Sequence, residues 1–274
     1  MAGSPGSAPR IRLVARTEFL FPDDVPFRTD ADGGQALAEF AGRACYQSWD
    51  RTNPATADNK GYLQHILEVG HLSVLEHSAA TFYLTGISRG VTHEILRHRH
   101  FSYSELSARY LPAAAGGPNA ETGSPEPNSE PPTADELSDL VEPPAVAADP
   151  GLHRKFVAGA KAAIAAHREL LTALEAAAEH APDGTLARKQ ARQLAAGLLP
   201  AAARTALVVS GNYRAWRHFI GMRATEAADV EIRTLAVGIL RELQKLAPHV
   251  FADFRISLLP DGTELAASPL VADA

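Results

Sequence analysis

The chain has 274 residues, a formal charge of −6, and 46% hydrophobic against 21% charged residues, the balance of a globular protein large enough for a substantial core. The acidic net charge argues against a general nucleic-acid binder, and no run approaches the ~18 apolar residues of a membrane span. The one cysteine, Cys45, excludes an intrachain disulfide and fits a reducing cytoplasm.

The opening MAGSPGSAPR has no apolar stretch of signal-peptide length, and residues 1–9 are expected to be a disordered tail. Residues 10–16, RIRLVAR, alternate apolar and basic side chains and predict a strand. Residues 21–34 are rich in Pro, Asp and Gly and read as loop. From Gly34, the positions Leu37, Phe40, Ala41, Ala44 and Cys45 repeat at helical spacing. They place Cys45 on the apolar stripe as a buried structural thiol. A second helix is predicted over 60–70, ended by Gly70.

His71, Ser73, Glu76 and His77 then crowd into a polar turn. No His-x3-His or Cys pair supports a metal site there, and no metal is expected. Residues 79–87, AATFYLTGI, read as a buried strand. A helix over 89–98 carries Val91, Ile95 and Leu96 inward and delivers Arg97 from its last turn.

Residues 97–110 read RHRHFSYSELSARY, with three arginines, two histidines, one carboxylate and three serines. Composition leaves two readings open. The run is a solvated surface strand or loop, or it is a site for anions, since arginine donates in a fork and serine as a short neutral partner. Residues 112–150 hold nine of the chain's nineteen prolines. Between Arg109 and Arg154 there are eight acids and no Lys or Arg. Without those eight, 24 acids stand against 26 bases, so the remainder carries +2. The mildly basic remainder suits a small dianion better than a polymer. The acidic, proline-rich segment, about 113–150, is expected to be a disordered insertion.

A long helix is predicted over 151–181, with Phe156, Ala160, Ile164, Leu171 and Leu174 on one face, and another over 184–198. Their alanine content allows close helix packing. Residues 203–211, ARTALVVSG, read as a strand. In NYRAWRHFIGMR, residues 212–223, Arg214 and His218 share a helix face. The last helix is predicted over 225–247 with Thr225 as cap, followed by a small strand or coil after 260.

The segment from Arg97 resembles the signature of the flavin-dependent thymidylate synthases, carried by Arg97, His98, Arg99, Ser102, Glu105, Ser107, Arg109 and Tyr110. The similarity extends over about residues 10–112 and 151–258. It implies an α/β (α+β) fold: a central, mostly antiparallel sheet with flanking long helices, in a single domain over 10–258 with a tail at 259–274. It also implies a family-type homotetramer with active sites shared between subunits. The implied reaction converts dUMP to dTMP, with methylenetetrahydrofolate as carbon donor and FAD reduced by NADPH. No cysteine nucleophile is implied, which agrees with the placement of Cys45.

The resemblance assigns residues in turn. Ser73, Arg97, His98, Arg99, Glu105, Asn212, Arg214 and His218 face the flavin cofactor, and His71 lies on the folate and nicotinamide side. Glu94, Arg97, Glu105, Leu106, Ser107, Ala108, Arg109 and Arg223 hold the nucleotide. Arg223 is the catalytic residue: a guanidinium at the uracil edge stabilises the negative charge that develops as hydride reaches C6, an effect worth ~3–4 kcal/mol. Read without the resemblance, Arg223 is an ordinary cation at a helix C-terminus.

Three positions depart from the family pattern. Ala196 stands where an arginine is usual, Glu94 where some relatives have glutamine, and Ala227 where histidine is frequent. The missing cation and the room it leaves admit UMP as an alternative substrate, or an inactive flavin- and nucleotide-binding homologue.

Overall fold

The computed structural model describes residues 9–50, 53–107, 140–178 and 183–271. In chain order the elements are β1 (Arg10–Arg16), α1 (Gly33–Tyr46), α2 (Asn59–Glu68), β2 (Ala79–Ser88), α3 (Arg89–Ile95), β3 (Phe101–Glu105), α4 (Pro144–Ala147) and α5 (Pro150–Ala178). There follow α6 (Gly184–Ala195), β4 (Arg204–Asn212), α7 (Tyr213–Arg223), α8 (Val230–Leu246), α9 (Pro248–Phe251), β5 (Arg255–Leu258) and β6 (Glu264–Ala267). Four strands form one sheet in the order β1-β2-β4-β3.

Main-chain bonds fix the strand directions. Thr17 N–H donates to Ala79 O, so the exit of β1 meets the entry of β2. Arg89 N–H to Ala203 O and Leu106 N–H to Ala206 O likewise bring the exits of β2 and β3 to the entry of β4. These pairs are antiparallel, as expected. Strands β5 and β6 form a separate antiparallel pair, from Arg255 opposite Ala267 to Leu258 opposite Glu264. Among the described residues, no helix is long and apolar enough to cross a membrane.

Where a single domain is expected, the chain divides into two compact units interleaved in sequence. The first comprises Met1–Arg10, Leu84–Glu94 and Ser104–Leu207. In it, α5 packs against α6 through the predicted face, with His167 set in its middle. The buried imidazole bonds Ala195 O through Nδ1 at 2.8 Å. Leu152, Leu170, Leu186 and Leu194 on these two helices are exposed.

The predicted insertion ends earlier than its composition suggests. Leu140 is buried and bridges Ala203, and Val141 N–H donates to Ala202 O at 2.8 Å. Asp149 caps α5 by accepting from Gly151 N–H and Leu152 N–H at 2.6 and 3.0 Å, with Pro150 at the first helical position. An aspartate followed by proline was a local helix start that the averaged acidity and proline content concealed. The rest of the insertion, 113–139, lies outside the described residues.

The second unit comprises Ile11–Tyr83, Ile95–Tyr103 and Val208–Ala274. Its core is aromatic. Trp216 stands edge-on to Phe82 at 5.1 Å, lies 4.4 Å from the Phe101 ring, and donates from Nε1 to Ala80 O at 3.1 Å. A Cβ at Gly211 would strike the Phe101 ring, so this β4 glycine is what lets β3 approach.

Helix α1 lies where predicted but turns another face inward. Gly34, Gln35, Ala38, Glu39, Gly42 and Arg43 are buried, whereas Cys45 is exposed. The cause is a buried polar network: Glu39 accepts from Arg43 Nε at 2.7 Å, Asn59 Nδ2 at 2.9 Å and Thr29 Oγ1 at 2.7 Å. Apolar spacing cannot register a buried ion pair.

Three predicted boundaries also shift. Helix α3 stops at Ile95 rather than 98. Ile95 O accepts from His98 N–H at 3.0 Å, and the Tyr103 hydroxyl lies 2.7 Å from Ile95 O and 2.6 Å from His98 O, where the chain turns toward β3. Helix α8 begins at Val230, capped by Asp229 and not by Thr225. The expected tail at 259–274 includes β6, whose Ala266 is buried and donates its N–H to Ala224 O at 2.9 Å.

Candidate active site

Helix α7 forms one wall of the site in the second unit. It starts where the Asn212 side chain accepts from Ala215 N–H at 2.8 Å, a conventional N-cap. Its periodicity buries Trp216, Phe219 and Ile220 and leaves Arg214 and His218 exposed. Arg217, on the buried side, is held by Asp253 through two bonds of 2.6 Å. Burial raises the Asp253 carboxyl, but the Arg217 bonds and charge outweigh it and hold the group below its ordinary value.

Opposite α7 lies the turn that joins α3 to β3. Together they enclose a cleft of about 490 Å³, lined by Arg97 to Phe101 from the turn and by Ala215, His218, Met222 and Arg223 from the helix. Arg223 Nε donates to His98 Nε2 at 2.9 Å. That bond requires His98 to carry its proton on Nδ1. Burial first, then Arg223, His218 and Arg97, push the imidazole down to about 4, so it is neutral at pH 7. The His98 ring also packs on Phe219 at 5.0 Å and on His218 at 6.0 Å.

The lining residues include three guanidiniums and no carboxylate. Such a cleft favours an anion strongly, because a phosphate relieves the mutual repulsion of the arginines while accepting their forked donors. A dinucleotide with a diphosphate bridge and a flat ring system fits this donor set. Arg97, His98, Arg99 and His218 supply the basic and imidazole groups of this lining.

The other expected cofactor residues of this unit lie outside that lining. Arg214 pairs with Glu76 at 2.5 Å, which ties α7 to the 3-10 turn Leu72–His77 bearing Ser73. Ser73 and His71 are exposed. Asn212 spends its carbonyl oxygen on the cap. Among the described residues no group of three or more His, Cys, Asp or Glu side chains is arranged to hold a metal.

The nucleotide residues of the first unit form their own group. Glu105 Oε1 lies 3.2 Å from Thr92 Oγ1, 3.3 Å from Thr205 Oγ1 and 3.7 Å from Arg89 Nη1. Leu106 anchors through its N–H to Ala206 O at 2.9 Å, and Glu94 and Ser107 are half-buried. Ala108 and Arg109 lie outside the described residues.

Sequence reasoning missed His100, Phe101, Ala215 and Met222 in the cleft, and Thr92 and Thr205 at Glu105. Ala215 and Met222 were findable, since 215, 218 and 222 fall on one helix face. The threonines carry no such signal, because Glu105 on β3 meets Thr92 on α3 and Thr205 on β4.

The family model described as Thymidylate synthase complementing protein matches residues 29–249. The Flavin-dependent thymidylate synthase of Mycolicibacterium vanbaalenii is 55% identical over 264 residues, 96% of this chain and 97% of the relative. That of Mycobacterium tuberculosis is 54% identical over 265 residues, 97% of each chain. Among solved structures, Thymidylate Synthase X from Helicobacter pylori, crystallised with FAD and dUMP, superposes with a TM-score of 0.58 at 24% identity. That match covers 89% of this chain and 98% of the other and supports a shared fold. The extent of these matches shows that the chain belongs to the thymidylate synthase complementing protein family, the flavin-dependent thymidylate synthases.

Proposed function

We propose that the protein methylates dUMP to dTMP, with methylenetetrahydrofolate as carbon donor and NADPH as reductant, in the cytoplasm and as a homotetramer. The observation that carries this reading is the acid-free cleft in which Arg223 meets a neutral His98 beside Arg97 and Arg99. FAD, when bound, carries hydride from NADPH to the uracil ring. Arg97, His98, Arg99 and His218 hold the cofactor, with Ser73, Asn212, Arg214 and Glu105 completing its surroundings and His71 on the folate and nicotinamide side. Glu94, Arg97, Glu105, Leu106, Ser107, Ala108 and Arg109 hold the nucleotide.

Arg223 is the catalytic residue. His98 accepts from its Nε and orients the guanidinium plane, and the Nη donors face the uracil carbonyl oxygens, which accept. Fixed positive charge there stabilises the anionic ring as C5 becomes nucleophilic. The exposed leucines on α5 and α6 offer apolar surface to such an assembly.

A second reading, UMP as substrate, is favoured by one residue. Ala196 is half-buried at the end of α6 and supplies no cation. Purified protein is expected to be yellow, and its visible spectrum to respond to the true nucleotide. A response to UMP and none to dUMP selects the second reading, and colourless protein unable to bind FAD contradicts both. Normal FAD binding without tritium release from 5-tritiated dUMP or UMP marks an inactive homologue.

A further inference from the structure

Arg223 is the last residue of α7, and a terminal turn frays unless something holds it. Here the backbone that follows is held at several points. Ala224 O accepts from Ala266 N–H at 2.9 Å. Glu226 O and Ala228 O accept from Arg233 Nη1 at 2.8 and 3.4 Å, and Arg233 Nη2 donates to Thr263 Oγ1 at 2.7 Å.

The Arg233 side chain is 4% exposed, and its nearest carboxylate, Asp261, is 57% exposed and 3.8 Å away. A buried guanidinium is costly and is tolerated where its donors are used. This one spends Nη1 on the main chain just beyond Arg223 and Nη2 on Thr263, while its Nε is buried without a hydrogen-bond partner. The same C-terminal segment also braces the body of α7. Asp253 chelates Arg217 and accepts from Ser268 Oγ, and Val271 packs so closely on Gly221 that a Cβ there would strike it. All of these partners beyond Arg233 itself follow residue 249, where the family match ends.

We propose that Arg233 is a positioning residue for Arg223: with the β5–β6 hairpin it fixes the backbone from Ala224 to Ala228 and so sets the Arg223 guanidinium against His98. The inference rests on the role given to Arg223 above. Misplacing a catalytic group by about 1 Å is enough to lower a rate roughly 100-fold.

The test uses full-length Arg233→Met, Arg233→Lys and Ala266→Pro. The proline removes the N–H that reaches Ala224 and leaves Arg233 in place. Bound flavin, kcat and KM are measured for each, and the crystal structures of the methionine and proline variants are solved. The expected result is full flavin content, a nearly unchanged KM for the nucleotide, and kcat lowered by roughly 100-fold in the methionine and proline variants. The lysine variant, whose ammonium still reaches a carbonyl, recovers part of the loss. In the crystals the Arg223–His98 bond is broken or Arg223 takes several positions. An intact 2.9 Å bond in a folded variant overturns the proposal whatever the rate. A broken bond with kcat unchanged upholds the positioning and overturns the catalytic role of Arg223 instead. If the methionine variant does not fold, the lysine and proline variants decide the question.

Discussion

Arg223 and His98 are 125 positions apart in the chain and are joined by a 2.9 Å bond from guanidinium Nε to imidazole Nε2. The direction of donation matters. A protonated His98 could not accept, so the contact exists only while the imidazole is neutral. Burial, and after it the charges of Arg223, His218 and Arg97, keep it so.

Replacing Arg223 with alanine removes the charge proposed to face the uracil edge while leaving Arg97, Arg99 and His218 to bind cofactor. Flavin content should match the parent, and turnover should fall by about 100- to 1000-fold. Tritium release measured beside flavin absorbance checks this. A variant with most of its turnover would remove Arg223 from the chemistry.

His98 makes stability depend on pH. Its folded value, about 4, lies below the ordinary imidazole value of 6.5. Between those values the unfolded chain binds more protons, so the contribution is complete above the unfolded value and is lost as pH falls toward the folded one. The urea midpoint should therefore drop between about pH 7 and pH 4.5, and less steeply in His98→Gln, whose amide oxygen still accepts from Arg223. Equal slopes in parent and variant would show that His98 does not titrate this way.

Ala196→Arg should restore a phosphate partner. A charge-assisted bond contributes about 1.5–3 kcal/mol, so KM for the true nucleotide should fall roughly tenfold or more. Steady-state kinetics with dUMP and UMP in parallel show which nucleotide gains. No change for either would mean that the position does not face the nucleotide.

Asp253→Ala leaves the Arg217 guanidinium buried without its carboxylate. Breaking a buried pair from one side costs about 3–5 kcal/mol, and the melting temperature should fall accordingly. A melting curve identical to the parent's would show the pair to be dispensable.

Most of the helices and strands were legible because their faces alternate or repeat in the sequence. The α5 face and the strand at 10–16 needed no partner to be read. Of the cleft lining, Arg97, His98 and Arg99 were legible in the run that starts at Arg97 and through its resemblance to a known signature. What escaped depends on contacts between distant residues. Buried Glu39 and Arg43 turned α1 and exposed Cys45, and the Tyr103 hydroxyl meets carbonyls at the end of α3. Asp229 took the cap from Thr225 in a loop whose carbonyls Arg233 holds. Spacing along one element cannot report such pairs.

The most direct test of the central claim is a single incubation: purified protein with FAD, NADPH, methylenetetrahydrofolate and dUMP, analysed for dTMP by mass. Formation of dTMP that requires NADPH, methylenetetrahydrofolate and dUMP, and that is lost in Arg223→Ala, is the predicted result. Flavin-loaded protein that oxidises NADPH but forms no dTMP from dUMP would contradict it.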